Sequence, residues 1–149
     1  MRKINTWVLV ADAARARIVL NEGPGRGLNA ALVREFEGPN APAREIMADR
    51  PGRTFDSAGM GRHAKERPTD PKLVEQRAFL AEIAAYLEHE AKRGAYDRLV
   101  IVAPPKALGT LRAALADGVR AKVTGELNKD LTNVPIRELP DYLGAVMAV

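Results

Sequence analysis

Arg50, Arg53, Arg62, Lys65 and Arg67 place five cationic side chains between residues 50 and 67, against only Asp56 and Glu66. The segment therefore carries +3 of the chain's net charge of +4. Guanidinium forks and ammonium groups grip phosphate oxygens. Gly52, Gly59 and Gly61 have no Cβ and let the backbone come close to a partner. His63, one of two histidines in the chain, adds a group that titrates near neutrality. Phe55 is the segment's only aromatic residue, so base stacking within it is limited. The pattern predicts a nucleic-acid-binding surface of Arg50, Arg53, Arg62, His63, Lys65 and Arg67, with Gly52, Gly59 and Gly61 as its loop backbone. The competing reading is a solvated insertion, since a long irregular loop is either functional or disordered.

Other chemistry is sparse. There is no cysteine, so disulfides and thiolate metal sites are excluded. Two histidines, His63 and His89, cannot build a histidine-rich metal site, and His89 reads as part of a solvated helix face beside Glu88 and Glu90. Gly23-Pro24-Gly25-Arg26-Gly27 is glycine-rich but leads into no helix, so a surface turn is expected there and not a phosphate cradle. Ser57 lacks a nucleophile-elbow sequence around it. Asp12 and Asp130 fall at strand ends, where nucleases gather acids around magnesium. Aspartates also sit at strand ends simply to bond turn backbone. Asp12, Asp130 and His63 are thus the minor catalytic candidates, and neither a metal nor a cofactor is expected.

The elements that position these residues read as strands first, then strand and helix in alternation. Thr6 to Ala11 is a short apolar run with β-formers, a buried strand. Asp12-Ala13-Ala14 makes a tight connection. Arg15 to Leu20 alternates and pairs back antiparallel. A third strand is expected within Leu28 to Glu37. Prolines 39, 42, 51, 68 and 71 keep the stretch from about 38 to 71 irregular. Asp70 then caps a helix with Pro71 at its first position. Leu73, Leu80, Ile83, Leu87 and Ala91 form its apolar stripe, and Gly94 ends it. Arg98 to Ala103 is a strand covered on both faces. Pro104-Pro105 opens a second helix with Leu108, Leu111 and Leu115 buried and Gly118 at its end. Val119 to Leu127 reads as a further strand. Ile136, Leu139, Leu143 and Met147 have helical spacing, with Pro140 splitting or starting that helix. The expected fold is α/β: one domain over residues 1–149, a mixed sheet with N-terminal antiparallel strands and helices packed on it.

At 149 residues the chain is long enough to bury a core. No stretch approaches the roughly 20 apolar residues of a membrane span. The start lacks the apolar length of a secretory signal, so a cytoplasmic protein is expected. The sequence pI of 9.6 suits an anionic partner.

Three stretches carry a family resemblance: Trp7 to Arg17, Asp49 to Ser57, and Glu126-Leu127-Asn128-Lys129-Asp130-Leu131-Thr132. With these the whole chain resembles the bacterial host attachment protein family, named for a requirement in attachment to host cells. That name describes a phenotype and not a chemistry. The family is in turn similar to the middle domain of archaeal and eukaryotic peptide-chain release factors. The resemblance implies a basic glycine loop between early strands and a long helix. In release factors the loop carries Gly-Gly-Gln and promotes peptidyl-tRNA hydrolysis. Here the corresponding stretch is Gly59-Met60-Gly61-Arg62-His63, and the nearest glutamine, Gln76, is already on the helix. Non-enzymatic binding to the ribosome, rRNA or tRNA is therefore the leading expectation, with any role in attachment indirect. The alternatives are a protein-interaction module in attachment or signalling, and a hydrolase of peptidyl-tRNA or nucleic acid.

Overall fold

A five-stranded sheet in the order β3-β2-β1-β4-β5 organises the computed structural model, which describes residues 3–39 and 70–149. The strands are β1 (Thr6–Ala11), β2 (Arg15–Asn21), β3 (Arg34–Glu37), β4 (Arg98–Val102) and β5 (Val123–Leu127). β1 pairs antiparallel with β2, and β2 with β3. β1 pairs parallel with β4, and β4 with β5. The expected mixed α/β sheet is thus present.

Every residue of β1 is buried, because both faces of the sheet are covered. Trp7, Leu9, Ala11, Leu99 and Ile101 face a helical layer made of α1 (Pro71–Lys92), α2 (Pro105–Ala114) and the short α3 (Asp117–Arg120). Val8, Val10, Val19, Val100 and Val102 face the C-terminal segment through Leu131, Leu139 and Leu143. That segment holds a 3-10 turn at Ile136–Glu138 and a four-residue helix, α4, at Pro140–Leu143. Each buried Val or Leu on these faces contributes about 1.5–3 kcal/mol of transfer free energy.

α1 starts where the sequence places it. The Asp70 side chain accepts from Lys72 N at 2.9 Å, and Pro71 occupies the first turn. Gly94 has φ +74 and carries the chain out of the helix. The stripe expected on α1 holds for Leu80, Ile83 and Leu87 but not for Leu73, which is 42% exposed. Phe79 is the first buried residue of the helix and packs against Gly38, beside the end of β3. Pro71 lies eight residues earlier, about 12 Å further along the axis. The first two turns of α1 therefore extend past the sheet, and Leu73 covers no buried residue among those described.

Other boundaries shift for local reasons. Strand pairing of the third strand starts only at Arg34, although Asn29 N and Val33 N donate to Leu20 O and Ile18 O. Leu28 and Leu32 pack on one face of the sheet and Val33 on the other. The second helix ends at Leu115, whose ψ of 136 is extended, so Gly118 falls inside α3 and does not end α2. Ala116 O accepts from Val119 N and Arg120 N, which makes residues 117–120 helical and delays β5 to Val123. Pro140 splits the C-terminal helix as expected.

Candidate functional site

The carboxyl edge of the sheet gathers the described candidates. β1 ends at Ala11, and Asp12 turns the chain back into β2. Its Oδ1 accepts from Ala14 N at 2.7 Å and Arg15 N at 2.8 Å, while Asp12 N donates to Arg15 O at 2.9 Å. This is the side-chain-to-backbone bonding that places Asp in turns. The other carboxylate oxygen, Oδ2, lies 3.3 Å from Thr132 Oγ1.

Thr132 also meets the second strand-end acid. Asp130 Oδ1 accepts from Thr132 N at 3.2 Å and from Thr132 Oγ1 at 2.7 Å. The fold thus brings Asp12 and Asp130 to one hydroxyl. A threonine hydroxyl has one proton, and the shorter contact gives it to Asp130. Both acids are engaged in turn bonding, and among the described residues no group of three or more His, Asp or Glu is placed to hold a metal ion.

Arg17 supplies the second tie between β2 and this loop. Its Nη2 donates to Leu131 O at 2.9 Å and, more closely still, to Val134 O. Nε of the same guanidinium is buried without a partner. Burial lowers the Arg17 pKa from its ordinary value, and the nearby charge of Glu35 opposes that shift. Between the β2–β3 ribbon and residues 132–135 lies a cleft of about 540 Å³, walled by Arg15, Arg17, Glu35, Glu37 and Asn133 among others. Sequence reading missed Arg17, Thr132 and Glu35 as site residues. Strand alternation presents Arg17 as a solvent-facing residue and contains no signal for carbonyl partners more than a hundred positions away.

The end of β3 is bonded to the same edge. Gly38 N donates to Ala14 O at 2.8 Å, so the chain leaves β3 beside the Asp12 turn. It re-enters at Asp70, the cap of the overhanging α1. Arg50, Arg53, Arg62, His63, Lys65, Arg67, Gly52, Gly59, Gly61, Phe55 and Ser57 lie outside the described residues. His89 is not near this edge: its side chain is 71% exposed, and its Nδ1 lies 3.0 Å from Glu90 Oε2. The Gly23–Gly27 turn holds the chain terminus, with Gly27 N donating to Val149 O at 2.9 Å.

The chain thus folds as a mixed five-stranded α/β sheet whose two strand-end aspartates bond turn backbone. The chain belongs to the family of proteins required for attachment to host cells, whose model matches residues 7–143. It is similar to the crystal structure of the archaeal translation termination factor aRF1, at 12% identity and a TM-score of 0.48. A second archaeal protein gives 12% identity and a TM-score of 0.46. Each alignment covers 95% of this chain but 38% of the other, so the chain spans well under half of either structure. No curated protein matches it.

Proposed function

We propose that this protein is a non-enzymatic RNA-binding protein, acting on ribosomal RNA or tRNA through Arg50, Arg53, Arg62, His63, Lys65 and Arg67. Its role in attachment to host cells is then indirect. Residues 1–149 act as one domain, with the sheet and α1 as the platform. One observation carries the reading: the segment from 50 to 67 holds +3 of a net charge of +4. The rest of the chain is close to neutral, so the field an anionic polymer meets comes mainly from this segment. On the N-terminal side Gly38 is bonded to Ala14 beside the Asp12 turn, and on the C-terminal side Asp70 caps α1.

Asp12 Oδ1 and Asp130 Oδ1 accept backbone N–H donors, a turn role that accounts for both acids without catalysis. Co-sedimentation with ribosomes at two salt concentrations tests the reading. Wild type should pellet with ribosomes at low salt and be released at high salt. A folded wild-type protein that stays in the supernatant at low salt sinks the ribosome assignment.

A further inference from the structure

Glu35 stands directly opposite Arg17 in the β2–β3 ladder, as Glu37 stands opposite Arg15. All four side chains lie on the sheet face turned towards residues 131–135. The outer pair closes, with Arg15 Nε 3.5 Å from Glu37 Oε2. The inner pair does not, because Arg17 turns its Nη2 to the carbonyls of Leu131 and Val134. Among the described residues Glu35 is left with a nearby cation but with no hydrogen bond or ion pair of its own. It is an open carboxylate in the cleft of about 540 Å³, a size within the roughly 300–1,000 Å³ of small-ligand sites. Asn133, on the facing wall, is exposed, and its amide has no hydrogen bond among the described residues. Val134 and Pro135 add apolar surface beside it.

The lining is balanced in charge, Arg15 and Arg17 against Glu35 and Glu37, so what distinguishes it is the open carboxylate, which accepts two parallel N–H bonds from a planar group. Among RNA bases, guanine presents two adjacent donors, N1–H and N2–H, with O6 beside them. Uracil offers one N–H between two carbonyl oxygens, which face a carboxylate unfavourably. Adenine offers an amino group next to a ring acceptor. Single-stranded RNA is read on such splayed-out base edges. The cleft wall includes Glu37, and the basic segment begins thirteen positions further along the sequence, at Arg50.

We propose that this cleft receives one unstacked guanine of the bound RNA, with Glu35 accepting from N1–H and N2–H and the Asn133 amide donating to O6. The proposal rests on the RNA-binding reading above and gives that reading a base preference. Fluorescence anisotropy with an oligoadenylate, and with the same oligomer carrying one central guanine, tests it. Wild type should favour the guanine oligomer by about tenfold, the discrimination expected of a good bidentate base contact. In Glu35→Gln and Asn133→Ala, both exposed and confirmed folded by circular dichroism, the ratio should fall towards one. A ratio near one in wild type overturns the guanine site while RNA binding stands. A ratio that Glu35→Gln leaves intact, with both affinities raised together, shows only lost repulsion and also overturns it. Free guanosine monophosphate bound as tightly as the oligomer would make the ligand a nucleotide and not RNA. No binding of either oligomer by folded protein removes both the guanine site and the RNA reading.

Discussion

Thr132 Oγ1 lies 3.3 Å from Asp12 Oδ2, across 120 positions of chain. The hydroxyl proton lies on the 2.7 Å contact to Asp130, so the approach to Asp12 marks where the β1–β2 turn meets the loop after β5 and is not a second hydrogen bond. The contact explains why two strand-end acids that resemble a metal pair sit together: they shape the turns that close the carboxyl edge.

If Asp12 is a turn residue, its variants should change stability and not activity. Asp12→Ala removes acceptors from two backbone N–H groups and should cost about 1–2 kcal/mol. Asp12→Asn keeps the Oδ1 acceptor and should cost less. Thr132→Val should cost about 1 kcal/mol. Urea denaturation checks all three, and an Asp12→Asn protein of full stability with altered RNA handling would contradict the turn assignment.

Arg17 is the stronger tie. Arg17→Met strips a donor from Leu131 O and Val134 O and should destabilise by about 1–3 kcal/mol. Both bonds come from Nη2, and the lysine side chain ends one atom short of that position, so Arg17→Lys should rescue only part of the loss. Limited proteolysis should show faster cleavage after residue 130 in Arg17→Met. Unchanged cleavage would mean that the apolar contacts of Leu131, Leu139 and Leu143 hold the segment without it.

Helix α1 gives a paired test of burial. Leu87 is fully buried, and Leu87→Ala should cost about 2–5 kcal/mol through lost transfer energy and the cavity left behind. Leu73 shares its helical spacing but is exposed, and Leu73→Ser should stay within about 0.5 kcal/mol. A large loss at Leu73 would mean that the overhanging turns pack on something.

Tyr96 makes stability sensitive to alkali. The phenol is buried, donates to Leu87 O at 2.8 Å and stacks on Trp7 at 4.5 Å between centroids. Burial, helped by the charge of Glu90, raises its pKa above the ordinary value. Folding thus favours the neutral form. Its contribution is complete below the unfolded pKa of about 10 and is lost as pH rises through the folded value. Wild type should lose stability between about pH 9 and pH 11 more steeply than Tyr96→Phe. The variant should start about 1 kcal/mol lower at neutral pH. Parallel pH profiles for the two proteins would contradict this.

The sheet was legible because its signals are local and strong. The continuous apolar run of β4 and the Arg15–Ile18 alternation each fix which faces are buried, and Asp70, Pro71 and Gly94 punctuate α1. Where the sequence misled, the deciding contact was distant or local signals tied. Leu73 has the right spacing for the stripe, but only the position of the sheet's edge determines that it overhangs. Val119, Ala121 and Val123 alternate like a strand, yet the bonds from Ala116 O make the start of that run helical. The candidate site was less legible. The basic residues announce themselves by charge, whereas the Thr132 bridge, the Arg17 tie and the open carboxylate of Glu35 all depend on β2 meeting the loop after β5.

Salt dependence is the most direct test of RNA binding by residues 50–67. Wild type and a variant with Arg50, Arg53, Arg62, Lys65 and Arg67 changed to alanine would be titrated with single-stranded RNA over a series of salt concentrations. Five cations engaged on phosphates predict a slope of log K against log [salt] near −3.5, or about a hundredfold loss between 50 and 200 mM salt. The variant should bind far more weakly, with a slope near zero. Equal affinities and equal slopes for two folded proteins would contradict the assignment of RNA binding to this segment.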